Sequence, residues 1–133
     1  MDIDGKDRVQ RLVTRPVAFV HANDSLREAA VVLTEESIGA ALVRLSHGAL
    51  GLVSERDIVR AIAEGAAVNR TRVEEIMASE LVTVAPNEDL LDAVHRMLDA
   101  EVRHLPVVDN GVAVGMISAR DALRAVTDEL AEH

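Results

Sequence analysis

Ser54 stands three residues before Asp57, and Ser118 three residues before Asp121. Each pair ends the same short string, Gly51-Leu-Val-Ser-Glu-Arg-Asp57 in one place and Gly115-Met-Ile-Ser-Ala-Arg-Asp121 in the other. A Ser-x-x-Asp start after an apolar run has the spacing of a helix cap, in which the hydroxyl accepts from the third residue's amide and the carboxylate reaches back. The same spacing sets a hydroxyl and a carboxylate beside the unpaired N–H groups of a first helical turn, where the helix dipole attracts anions. A carboxylate so placed can accept from sugar hydroxyls. The chemistry on offer is recognition of a phosphorylated, ribose-bearing ligand, and capping is compatible with it. Arg56 and Arg120 precede each aspartate and either reach a phosphate or lie solvated at the helix end. Two such places in one short chain suit a binding module more than a catalyst.

The two strings belong to a longer repeat. Shifting the chain by 64 residues aligns 8–62 with 72–126 without a gap, and 14 of those 55 positions are identical. Self-similarity at a fixed period marks repeated units that bury their apolar faces against each other. Two units are too few for a solenoid, so a pseudo-twofold pair is expected.

Each unit must position its Ser-x-x-Asp with the elements around it. Residues 8–14 and 72–78 predict short lead-in helical turns. Val17–Val20 and Leu81–Val84 predict short strands. Ser25-Leu-Arg-Glu28 has the form of a capping box, and Glu88 or Asp89 is expected to cap its counterpart. Leu26, Ala29, Ala30 and Leu33 follow at helical spacing, as do Leu90, Ala93, Val94, Met97 and Leu98. Two β-rich stretches come next, at 40–45 and 50–53 in the first unit and 105–108 and 112–117 in the second. Asn110-Gly111 between the second pair is a type I′ hairpin signal; Ser46-His-Gly48 is a looser turn. Closing helices are predicted over 55–64, stopped at Gly65, and over 119–130. Each unit therefore reads β-α-β-β-α, with 66–71 as a linker, and the fold class is α/β (α+β). Met77, Met97 and Met116 read as core fillers, and His95 falls on the polar side of its helix.

Composition narrows the partners. A net charge of −9 opposes nucleic-acid and anionic-membrane surfaces, and Phe19 is the only aromatic residue, so bases have no aromatic stack. Of the 14 basic residues 13 are Arg, which can still offer phosphate a bidentate fork. Without Cys there is no thiolate nucleophile and no Cys-type zinc site. The histidines lack metal-ligand spacing, and neither a nucleophile–base pair nor a phosphate loop of the Walker type is present. An enzyme is not expected, and no cofactor is required. The polar N-terminus and the lack of a long apolar run point to a cytoplasmic protein.

The tandem β-α-β-β-α unit, both Gly-h-h-Ser-x-x-Asp endings (h, hydrophobic) and the segment Val102-Arg-His-Leu-Pro-Val-Val-Asp109 together resemble the cystathionine-β-synthase (CBS) domain pair, or Bateman module, over residues 8–126. The resemblance implies a stand-alone sensor or regulatory protein that binds AMP, ADP, ATP or another adenosyl compound such as S-adenosylmethionine in clefts between its two units. It further implies a homodimer made through helices, signalling by conformational change to a regulated protein partner. Asp57 and Asp121 would take ribose hydroxyls, and Ser54 and Ser118 would approach ribose or phosphate. Arg103 and His104 would meet phosphate, where the first unit has only Gly39 and Ala40. Glu55 adds a repelling charge that Ala119 does not, so phosphate affinity is expected to favour the second unit. Backbone groups near Pro16–Val17 and Glu80–Leu81 would hold the adenine ring; Pro16, lacking an N–H, could only accept. The alternative is a dimerisation or interaction scaffold that keeps the fold without a ligand.

Overall fold

In a computed structural model the described residues are 8–13 and 16–131. They divide into two compact units. One runs from Ala18 to Leu81; the other gathers the described residues up to Val17 and those from Val82 onward.

The first unit carries β1 (Phe19–His21), α1 (Leu26–Glu36), β2 (Ala40–Arg44), β3 (Leu50–Ser54) and α2 (Glu55–Ala63). β2 lies in the middle of its sheet, parallel to β1 and antiparallel to β3. Val20, Ala29, Leu33, Val43 and Val53 form its core. The second unit carries α3 (Leu90–Ala100), β4 (His104–Asp109), β5 (Val112–Ser118) and α4 (Ala119–Ala131). Its core uses the positions 64 residues on: Val84, Ala93, Met97, Val107 and Ile117. The apolar spacing read from the sequence therefore builds the same core twice. Of the other methionines expected inside, Met77 packs against the first core while only partly buried, and Met116 is half-buried.

The lead-in turns are exchanged between the repeats. The 3₁₀ turn Val9–Leu12 buries Val9 in the core of the second unit, and the turn Val73–Glu75 buries Val73 in the core of the first. Their hydrogen bonds match one for one. Val9 and Gln10 donate to the Glu88 and Pro86 carbonyls at 3.0 and 2.9 Å, while Val73 and Glu74 donate to Asp24 and Ala22 at 2.8 and 3.0 Å. Thr14, the last residue of the expected first turn, lies outside the described residues.

This exchange accounts for the glycine that begins each string. A Cβ on Gly51 would lie 2.7 Å from the Met77 sulfur and 3.0 Å from the Ala78 carbonyl. One on Gly115 would lie 2.5 Å from Cγ1 of Val13. The lead-in segment of the other repeat crosses the strand where these side chains are missing.

Two local expectations are corrected. Leu81–Val84 is not a strand: only Val84 bridges to Val107, and the second sheet has two strands. In the first unit Leu42 donates to the Ala18 carbonyl at 3.0 Å and Ala22 to Arg44 at 3.2 Å, one at each end of the β1–β2 pairing. The matching donors in the second unit are Pro106 and Pro86, which have no N–H. Only the middle bonds survive, Val84 to Pro106 at 3.0 Å and Val108 to Val84 at 2.8 Å. The second correction concerns α3. Asp89 occupies its N-cap position without a side-chain cap bond, because its carboxylate pairs with Arg8, and Glu88 is turned to other partners.

The first strand is Phe19–His21, shifted from the expected Val17–Val20, and other local signals form as read. Ser25 and Glu28 make a reciprocal capping box, at 3.1 and 3.0 Å. Asn110 and Gly111 both have positive φ, 51° and 81°, between the paired residues Asp109 and Val112, as a type I′ turn requires. The 66–71 linker is held to α1, since the Leu26 and Arg27 amides donate to the Thr71 and Val68 carbonyls, both at 3.0 Å.

Candidate functional site

Both Ser-x-x-Asp strings deliver the same geometry at a strand-to-helix junction. Asp57 donates its amide to Ser54 Oγ at 3.1 Å, and the Ser54 amide donates to Asp57 Oδ2 at 2.9 Å. The Asp121 and Ser118 pair repeats this at 3.0 and 3.1 Å. The next amide is also claimed: Glu55 donates to the Gly39 carbonyl at 2.9 Å, and Ala119 to that of Arg103 at 2.8 Å. Most of the anion-binding N–H capacity expected of these helix starts is therefore used internally. What each junction still offers is the serine O–H as a donor and the second carboxylate oxygen as an acceptor.

The two carboxylates are not equally open. Asp57 Oδ1 lies 3.9 Å from Arg60 Nη1, whereas Asp121 Oδ1 has no partner among the described residues. The surface pair weakens the Asp57 acceptor only slightly. Asp121 is the freer of the two.

The sheet brings the second unit's candidates together. His104 pairs across the ladder with Ser118, and the Arg103 carbonyl caps the first amide of α4, so both lie at the junction that holds Asp121. His104 is half-buried and Arg103 exposed. The first unit places Ala40 opposite Ser54 and Gly39 at the helix start, and neither carries a charge. Arg56 and Arg120 are exposed in the first turns of α2 and α4. Arg103 also lines an apolar hollow of about 520 Å³ between α3 and α4, with Val94, Met97, Leu98, Ala122 and Leu123.

The expected base-holding segments divide by unit. Pro16 is exposed and Val17 half-buried, and they group with Ser118 and Asp121. Glu80 is exposed and Leu81 half-buried, and they group with Ser54 and Asp57. Ala78, just before them, is bonded to Leu52 in both directions at 2.9 and 2.8 Å.

One arrangement near the second unit's first segment went unread in the sequence. Arg96 on α3 grips Glu88 through both guanidinium nitrogens, at 2.7 and 3.1 Å, and donates to the Thr83 carbonyl at 2.7 Å. Glu88 also accepts from the Ala85 amide at 2.6 Å. Arg96 foremost, then the Ala85 amide, holds the Glu88 carboxyl below its usual range. The first repeat has Val32 at the position of Arg96, which was the available signal.

The CBS domain model matches this chain twice, over residues 9–64 and 73–128. The chain belongs to the CBS domain family. Among relatives of this CBS pair, the CBS domain-containing protein YhcV of Bacillus subtilis is 36% identical over 126 residues, 92% of this chain and 89% of that protein. A CBS-domain protein of Agrobacterium tumefaciens of known structure is 32% identical, with a TM-score of 0.83 over 94% of this chain and 97% of that one. A third CBS pair was crystallised with 5′-methylthioadenosine and S-adenosyl-L-methionine; it is 28% identical, with a TM-score of 0.80 over 90% of this chain and 98% of its own. The mixed α+β architecture and its two repeated units are those of the CBS pair.

Proposed function

We propose that this CBS pair is a non-catalytic regulatory module that binds an adenosyl ligand and reports its occupancy to a protein partner through a change of conformation. The observation that carries the reading is the Ser118–Asp121 junction. The capping box orients Asp121 rigidly and leaves Oδ1 open, so the ribose diol meets an acceptor already in place. The solved CBS pair that holds S-adenosyl-L-methionine and methylthioadenosine supports the same ligand class. Arg103 and Arg120 add positive charge on the Asp121 side, with His104 opposite Ser118 in the ladder, and Ser54, Arg56 and Asp57 form the poorer counterpart, with Glu55 beside them. Backbone at Pro16–Val17 and Glu80–Leu81 takes the adenine. AMP, ADP and ATP are accordingly expected to prefer the second repeat's junction. A ligand that binds one conformation more tightly shifts the population toward it, and the partner reads that shift.

A homodimer is the proposed working state, and the helix faces support it. Leu98 on α3 and Leu123 on α4 are 68% and 67% exposed beside the apolar hollow, and Val59 and Ile62 on α2 are also open. The same faces favour the second reading, a scaffold that dimerises without a ligand. No helix among the described residues is long and apolar enough to cross a membrane. We place the protein in the cytoplasm.

A thermal-shift screen of adenosine, AMP, ADP, ATP and S-adenosylmethionine, followed by calorimetry on any hit, tests the reading. Stabilisation by one or more of them is expected, since a ligand that binds only the folded chain raises its melting temperature. No shift with any of them leaves the scaffold.

A further inference from the structure

The second repeat has lost the strand that carries its first segment, yet that segment is held. Val84 keeps two backbone bonds to β4, to Pro106 and from Val108. The two flanking bonds that the first repeat makes from Leu42 and Ala22 are removed by Pro106 and Pro86. Among the described residues nothing donates to the Val82 carbonyl, the counterpart of the Ala18 carbonyl that Leu42 serves. At this place α3 presents Arg96 where α1 presents Val32.

Arg96 bonds to the weakened segment itself and to a residue just beyond its end. One nitrogen reaches the Thr83 carbonyl at 2.7 Å, and the same nitrogen and its neighbour grip Glu88 at 3.1 and 2.7 Å. Glu88 in turn closes the turn at Ala85. A charge-assisted fork of this kind fixes geometry in a way that a single ammonium cannot. Its side chain is about one-third exposed, so its value lies in placement more than in overall stability.

We propose that Arg96 is the positioning residue for ligand binding in the second repeat: it compensates for the missing ladder bonds and fixes residues 82–85, and with them the adjoining Glu80–Leu81 backbone that takes the adenine. This rests on the adenosyl reading above. Arg96 touches no ligand in this scheme. Its effect arises because a segment already in place loses no ordering entropy on binding.

The test compares the unaltered protein with Arg96→Val, the residue of the first repeat, and with Arg96→Lys. Calorimetry uses adenosine, AMP and S-adenosylmethionine, and amide hydrogen exchange is followed at Val84 and Ala85, whose amides are bonded. Arg96→Val is expected to weaken every ligand by a similar factor, roughly tenfold, as loss of preorganisation predicts. Exchange at those two amides should rise while that at Leu105 and Val107 holds. Arg96→Lys should recover part of the affinity through the Thr83 carbonyl alone. Pro106→Ala restores one backbone donor, so adding Arg96→Val to it should cost less affinity than in the unaltered chain. Equal affinity in Arg96→Val overturns the assignment, as does a loss confined to AMP, which would make Arg96 a phosphate contact. Failure of the unaltered protein to bind any of the three overturns the adenosyl reading itself.

Discussion

Val13 occupies the space that a side chain on Gly115 would need: the nearest methyl carbon would be 2.5 Å from a Cβ there. The contact joins the lead-in of the first repeat to the string that ends in Ser118 and Asp121. Gly115→Ala is therefore expected to destabilise the protein by about 1–3 kcal/mol, the usual range for overpacking. Val13→Ala should relieve much of that loss in the double variant, because it removes the clashing methyls. Urea denaturation of the four proteins measures the coupling, and additive effects would mean that the two side chains do not meet.

Asp57 and Asp121 share a capping role and differ in their free oxygens. Replacing either by Ala is expected to lower stability by about 1 kcal/mol through the lost cap. Only Asp121→Ala should also weaken adenosyl binding by tenfold or more, because hydrogen bonds to a charged group contribute about 1.5–3 kcal/mol each. Thermal unfolding and calorimetry on both variants separate the two effects. Unchanged affinity in Asp121→Ala would leave that residue as a cap alone.

Arg103 supplies charge where the first repeat has Gly39. Arg103→Ala is expected to weaken ATP more than adenosine, and the difference should shrink at high salt because the side chain is exposed. Calorimetry at two ionic strengths reads this directly. Equal losses for the two ligands would confine Arg103 to the wall of the α3–α4 hollow.

Acid should loosen the second unit through Glu88. Its carboxyl is held below the ordinary value of 4.5 by Arg96 and the Ala85 amide. The unfolded chain therefore takes up that proton first as pH falls. The stabilisation is complete above the unfolded value of 4.5 and is lost as pH falls through the lower folded value. Glu88→Gln should flatten the decline in melting temperature on acidification. Glu28, lowered by the Ser25 amide and hydroxyl at an exposed site, should matter less when replaced in the same way. Identical pH profiles for Glu88→Gln and the unaltered protein would contradict the assignment.

Leu98 and Leu123 should lie in the interface of the proposed dimer. Sedimentation of the unaltered protein is expected to give about twice the 14.3 kDa of one chain. Leu98→Glu combined with Leu123→Glu should return it to one chain, because charges placed in an apolar interface lose their hydration. A dimer that survives both changes is made elsewhere, and a single-chain mass without them removes the proposal.

Features set by neighbours along the chain were legible in the sequence. The boxes at Ser25, Ser54 and Ser118 need only a side chain and an amide three residues away, and the Asn110-Gly111 turn needs only two positive φ angles. The 64-residue repeat likewise disclosed both cores, because apolar spacing is a local pattern written twice. Where a segment docks depends on residues far away in sequence. The exchange of Val9 and Val73 between the repeats, and with it the reason for Gly51 and Gly115, came only from the tertiary structure. So did the diversion of Asp89 to Arg8 and the Arg96 grip on Glu88 and Thr83. The lost strand at Leu81–Val84 lies between these cases. Pro86 and Pro106 were visible, but what they withhold is a pair of ladder bonds, and a ladder exists only once two distant segments lie side by side.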